Sequence, residues 1–163
     1  MEKTEKAILD LLAEDARFSH AKIAKMLGIE EKIVSETVKR LEENGTIVKY
    51  TAIMNDEVGE EDVVEAFIEV KVTPQKGTGF DKIAEEIANA KEVKSLYLMS
   101  GAYDLAVIVE GKSLRSISRF VSERISTYDC VLSTATHFIL KKYKIEGVTT
   151  TRQADDMRLS VQA

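Results

Sequence analysis

Residues 19–45, SHAKIAKMLGIEEKIVSETVKRLEENG, read as two short helices joined by a tight turn. Ser19 is a residue type that caps a helix start, because its hydroxyl accepts from an otherwise unpaired backbone N–H. Ile23, Ala24 and Leu27 then fall on one helical face. Gly28 follows the last periodic residue, where glycine takes the left-handed conformation that ends a helix. Val34, Val38 and Leu41 recur at i, i+4, i+7 and place a second helix at about Glu31–Asn44, stopped by Asn44-Gly45. Ala24 at the crossing, Gly28 in the turn and Val34 beyond it have the spacing of a helix-turn-helix. The second helix of such a pair lies in the DNA major groove, which makes double-stranded DNA the expected partner.

Outward from that stretch, Ile8, Leu11 and Leu12 give an earlier helix one apolar face, and Asp15-Ala16-Arg17 interrupts the pattern. After the pair, Thr46-Ile47-Val48 reads as the start of a strand. Residues 1–50 form one domain, and 51–62 form a strand and linker whose later part, 55–62, is acidic. Beyond the linker the period changes from 3.6 to 2. Val64, Ala66, Ile68, Val70 and Val72 alternate with polar or outward residues up to Pro74. Phe80, Ile83, Ala84, Ile87 and Ala88 mark a helix, and 93–100 and 103–110 are strands around Ser100-Gly101-Ala102. Leu114, Ile117, Val121 and Ile125 mark another helix, with Ser113 as its cap. Residues 131–141 form a last strand with Leu132, Thr134, Thr136, Phe138 and Leu140 on one face.

The order strand, helix, strand, strand, helix, strand is that of the ferredoxin-like βαββαβ unit, an antiparallel sheet with both helices on one face. The fold class is α+β: a winged helix-turn-helix domain followed by a ferredoxin-like domain over 63–145. The sheet's other face carries apolar side chains and is expected to pack on a second copy. Residues 146–163 read as a polar tail.

The 163 residues carry a formal charge of −5, with 31% charged and 44% hydrophobic residues. No apolar run nears the roughly 18 residues that span a bilayer, and the polar start MEKTEKAILD has no signal-peptide core. A lone cysteine, Cys130, supports neither an internal disulfide nor a thiolate metal site. A cytoplasmic protein without a membrane partner is expected. Residues 1–50 hold nine Lys and Arg against ten Asp and Glu, so charge balance by itself points away from nucleic acid. Geometry alone carries the DNA reading. The outward positions of the second helix include Lys32, Ser35, Glu36, Lys39 and, toward one side, Thr37 and Arg40. Lys and Arg there meet phosphates or guanine edges, and Ser and Thr do either more weakly. Glu30 and Glu31 suit the first helical turn, whereas Glu36 faces the groove without that excuse. A three-helix bundle used only for packing is the alternative that spacing leaves open.

Taken together, KTEKAILDLLAEDARFSHAKIAKMLGIEEKIVSETVKRLEENGTIVKY, the split βαβ unit with SGAYDLAVIVEG, and STATHFIL resemble the Lrp/AsnC, or feast/famine, family across about residues 3–142. The resemblance implies a transcription regulator with an effector domain that dimerises through its sheets. It also implies assembly of dimers into octamers or open helices, and an amino-acid effector bound between dimers. The departure lies in the recognition helix, where Glu30, Ile33, Ser35 and Glu36 stand in place of a Ser, Thr or Arg/Lys cluster.

By the same resemblance the effector residues are Gly101, Tyr103, Asp104, Thr134 and Thr136. An amino acid needs backbone N–H groups or cations for its carboxylate and a carboxylate or carbonyls for its ammonium. Gly101 permits close backbone approach, Asp104 is an acceptor for the ammonium, and the threonines offer hydroxyls. The plainer alternative makes Gly101 a turn residue, Asp104 a hairpin cap and the threonines strand formers. His20 and His137 have no partner ligands, so neither a metal nor another cofactor is expected. Tyr97, Tyr103, Tyr128 and Tyr143 are expected to pack at sheet interfaces. A rival reading keeps the helix-turn-helix in a ligand-binding or assembly protein that binds DNA weakly or not at all. An enzyme resembling the siroheme decarboxylases is disfavoured, since it needs more histidines than these two.

Overall fold

The computed structural model describes residues 3–54, 63–74, 77 and 79–150, and the chain divides into two compact units at Ala52/Ile53. The acidic linker 55–62 and the tail from 151 lie outside the described residues.

The N-terminal unit is three helices, α1 (Lys3–Glu14), α2 (His20–Leu27) and α3 (Glu31–Glu43). Between α1 and α2, the Asp15 carboxylate accepts from the Arg17 backbone N–H at 2.9 Å and from the Arg17 guanidinium at 3.0 Å. Arg17 thereby holds the exposed Asp15 carboxyl below its usual range. Ser19 caps α2 as expected, its hydroxyl accepting from Lys22 N–H at 3.2 Å. Gly28 ends the helix at φ +66°. An added Cβ there would meet open space, so its requirement is conformational rather than steric. Ile8, Ile23, Ala24, Val34 and Val38 form the core, with Leu11, Leu12, Phe18, Leu27, Ile29 and Ile47 packed around it.

Thr46-Ile47-Val48 does not form the expected strand, so no wing is paired among the described residues. Ile47 N–H instead donates to the Leu41 carbonyl at 2.9 Å, closing the end of α3. The Ile47 side chain turns back onto the helical core and Val48 is left 89% exposed. A β-branched run becomes a strand only with a partner edge, and none of the described residues supplies one.

The C-terminal unit contains β1 (Val64–Val72), α4 (Asp81–Ala88), β2 (Val93–Leu98), β3 (Leu105–Gly111), α5 (Leu114–Phe120) and β4 (Val131–Ile139). The helix α5 continues into a π turn over Val121–Ile125. The sheet is antiparallel in the order β2-β3-β1-β4, the arrangement expected of the βαββαβ unit. Ala66, Ile68, Val70 and Val72 from β1 and Leu105, Val107 and Val109 from β3 bury one face of the sheet. They pack against Ile83 and Ile87 of α4 and Ile117, Phe120, Val121 and Ile125 of the second helix. Four positions of the expected apolar stripes are exposed: Ala88 at the end of α4, Leu114 at the first position of α5, Leu132 near the start of β4, and Leu140 beyond its end.

The opposite face follows from the pairing register. One row reads Tyr97, Ala106, Glu69, Ala135, and the next Ser95, Ile108, Phe67, His137. Phe67, Ala106 and Ile108 are apolar, the His137–Glu69 pair at 3.4 Å crosses the same two rows, and at the next row stand Lys94 to Glu110 at 2.7 Å and Lys142 paired with Glu65.

The polar tail starts later than residue 146. β5 (Lys144–Ile145) and β6 (Val148–Thr149) make a small hairpin around Glu146-Gly147, both at positive φ, as a two-residue hairpin turn requires. Thr150 anchors it, buried, with its hydroxyl donating to the Lys142 carbonyl at 2.6 Å.

Candidate nucleic-acid interface and effector site

Five of the six residues expected on the outward side of α3 are exposed: Lys32, Ser35, Glu36, Lys39 and Arg40. Thr37 is not. It is only 7% exposed, lying beside Val34, Val38 and Leu41 on the face that meets the other helices. Three positions beyond Val34, it belongs to the core stripe rather than to the groove side.

The exposed charges on α3 are largely matched within the helix. Lys32 Nζ lies 3.8 Å from Glu36, and Lys39 Nζ lies 3.8 Å from Glu43. Both are exposed i,i+4 pairs, each worth about 0.3–0.5 kcal/mol and readily exchanged for another partner. Arg40 is engaged differently, its guanidinium 2.5 Å from the largely buried Glu5 carboxylate, which ties α3 to α1. Lys22 and Lys25 on α2 were not singled out by the sequence, although both are exposed. Lys22 sits 3.7 Å above the Phe18 ring, which orients it. The signal that finds them is the placement of a helix-turn-helix, whose first helix crosses the DNA backbone.

In the sheet unit, Gly101, Tyr103 and Asp104 occupy the turn from β2 to β3. Gly101 adopts φ +155°, a conformation that favours glycine, with open space where a Cβ would stand. Asp104 Oδ2 accepts from Val72 N–H at 2.8 Å, and Asp104 N–H donates to the Val70 carbonyl at 3.1 Å. The carboxylate therefore stitches the turn to β1 where the register of β1 with β4 shifts. This contact reaches a neighbouring strand rather than the backbone of the 100–103 turn, and it engages one carboxylate oxygen.

Thr134 and Thr136 pair across β1 with Val70 and Ile68, so both face the helix-covered side of the sheet, and both are half-buried. Thr134 and Asp104 flank Val70 from the two neighbouring strands, at one end of the sheet. Tyr103 points to the other face, where its ring meets Phe67 edge-on at 5.9 Å. Gly101, Tyr103, Asp104 and Thr134 thus stand at one end of the sheet, Thr136 stands further along β4 opposite Ile68, and the five do not face a common point. Around them stand Leu98, Met99 and Leu132, which are 59%, 39% and 62% exposed. A separate cleft of about 420 Å³ lies at the opposite end, lined by Val63, Val109, Ile117 and Phe120 with Lys91 and Lys112, and holds none of the five.

Among the described residues no group of three or more His, Cys, Asp or Glu is placed to hold a metal. No helix there is long and apolar enough to cross a membrane.

A helix-turn-helix unit ahead of a ferredoxin-like sheet unit defines the class of two-domain regulators that pair a DNA reader with a ligand-binding domain. A family model for the AsnC-type helix-turn-helix domain matches residues 1–42, and one for the Lrp/AsnC ligand binding domain matches residues 65–149. The chain belongs to the Lrp/AsnC family. It is 46% identical to YugG of Bacillus subtilis, an uncharacterized HTH-type transcriptional regulator, over 99% of each chain. LrpA of Pyrococcus abyssi, an HTH-type transcriptional regulator, is 32% identical over 88% of this chain and 99% of its own. In fold the chain resembles a Neisseria meningitidis transcriptional regulator solved as a complex with L-Met. The TM-score is 0.68 at 23% identity, covering 95% of this chain and 97% of that one. The relatives are transcriptional regulators and not enzymes.

Proposed function

We propose that the chain is a cytoplasmic transcription regulator that binds duplex DNA through α2 and α3 as a homo-oligomer, its occupancy set by an amino acid. The observation that carries the DNA part is the capped and glycine-turned helix pair with Lys22, Lys25, Lys32, Ser35, Glu36 and Lys39 exposed. Self-association into dimers is supported by the sheet face without helices, which carries Phe67, Ala106 and Ile108 beside ion pairs that satisfy its charged residues. Assembly of dimers into an octamer or higher form is supported by the exposed Leu98, Met99 and Leu132. They flank the polar turn at Gly101 and Asp104 and leave that end of the sheet open to a further copy. An amino acid placed there would meet hydroxyls from Thr134 and Thr136, the free side of the Asp104 carboxylate, and apolar surface for its side chain. Such a ligand shifts assembly by binding one arrangement more tightly than another.

The matched charges on α3 favour a second reading, in which the chain assembles and binds ligand while holding DNA weakly. One experiment separates them. Promoter fragments are titrated with the full chain in a gel-shift assay at about 50 mM salt, with and without each amino acid. The regulator reading expects a shifted band that weakens steeply with salt and responds to at least one amino acid. Unshifted DNA at low salt from intact oligomers favours the second reading.

A further inference from the structure

The charges on α3 sit in an unusual place for a surface that meets a polyanion. With about 100° between successive residues, the buried stripe Val34, Thr37, Val38 and Leu41 fixes the opposite direction of the helix. Glu36 and Lys32 fall on that outward line, one turn apart, while Ile33 and Ser35 lie to either side. Both side chains are well exposed, 69% and 79%, and their charged ends stand 3.8 Å apart. In a major-groove helix these are the N-terminal residues that reach deepest toward the base edges.

A carboxylate in that place is repelled by the phosphates on both walls. A base that offers it an N–H donor offsets that repulsion. Cytosine offers its N4 amino group with no acceptor beside it. Adenine also offers an amino group, but its N7 acceptor stands next to it and opposes the second carboxylate oxygen. Guanine and thymine present acceptors. The partner of cytosine, guanine, presents O6 and N7, which take a donor such as the Lys32 ammonium. One acceptor and one donor side by side on α3 therefore match the donor and acceptors side by side on one C·G pair. We infer that Lys32 and Glu36 act together as the reader of a single C·G base pair, with Glu36 on cytosine N4 and Lys32 on guanine. The inference rests on the DNA-binding reading and specifies which bases that helix selects.

The test uses the full chain, Glu36→Gln, Glu36→Ala and Lys32→Ala, each selecting duplexes from a randomised pool at low salt, followed by affinity measurements on single-pair variants of the selected site. The original chain enriches one C·G position, and replacing that pair weakens binding about tenfold or more. Glu36→Ala and Lys32→Ala each relax the preference at that same position. Glu36→Gln moves the preference toward adenine, whose N6 and N7 suit a carboxamide. Identical selected sequences for all four proteins, with the Glu36 variants binding every duplex more tightly, would overturn the proposal and leave Glu36 a merely repelling charge. Loss of preference at two different positions would overturn the pairing of the two residues. No duplex retained by any of the four would overturn the DNA reading itself, and this inference with it.

Discussion

The three-helix unit and the sheet unit are held together on different margins. The first closes over Ile8, Ile23, Ala24, Val34 and Val38, whereas the second buries a full face of β1 and β3 under two helices. A small core leaves a unit near the limit of independent stability, so its caps and turns matter proportionally more. Ser19, Gly28 and the Asp15–Arg17 turn carry that burden at one end of the chain. In the sheet unit non-local contacts, among them Asp104 to Val72 and to Val70, hold the end where an effector is proposed to bind. The helical unit is thus expected to lose its fold before the sheet unit does.

The sharpest way to break this contrast is to hollow out the smaller core. Ile23 is fully buried, and Ile23→Ala is expected to cost about 2–5 kcal/mol. Calorimetry should then show the helical unit melting early while the sheet unit's transition stays in place. A single transition that moves as a whole would show the two units to be one cooperative body. Next in size is Asp104→Ala, which strands the Val72 N–H and is expected to cost about 1.5–3 kcal/mol. Faster amide exchange at Val72, with the helical unit's amides unchanged, is the measurement that checks it.

Gly28→Ala places a side chain at φ +66° with no steric clash, so it reads the conformational cost alone, about 1–2 kcal/mol. Urea unfolding of the helical unit should show the loss, and no change would mean the turn relaxes freely. The smallest effect belongs to Asp15. Arg17 lowers its carboxyl in the folded chain, so the contribution is present above the ordinary aspartate pKa and fades as pH falls through the lowered value. Asp15→Asn should flatten the pH dependence of the helical transition below about pH 4 and leave the sheet unit's profile untouched.

The same contrast governs how much could be read from the residues. Every helix of the N-terminal unit follows from local signals: a 3.6-residue stripe, a serine cap and a glycine stop. Thr37 escaped because it stands at the edge of that stripe, and Thr46-Ile47-Val48 because strand formers say nothing about a partner edge. In the sheet unit, alternation revealed which residues share a face but not which face the helices cover. That depends on the pairing of β4 with β1, which sets Thr134 and Thr136 opposite Val70 and Ile68. Asp104 binds a backbone group 32 positions away, beyond the reach of any local pattern. The Lys32–Glu36 pair, by contrast, is visible in its i,i+4 spacing, and only the position of the buried stripe shows where it points.

The mass of the full chain in solution, by size-exclusion with light scattering across a panel of amino acids, bears most directly on whether the sheet frame presents readers in pairs. The account predicts a dimer or a multiple of it, redistributed by at least one amino acid. A particle of one chain's mass, unmoved by every amino acid, would contradict it.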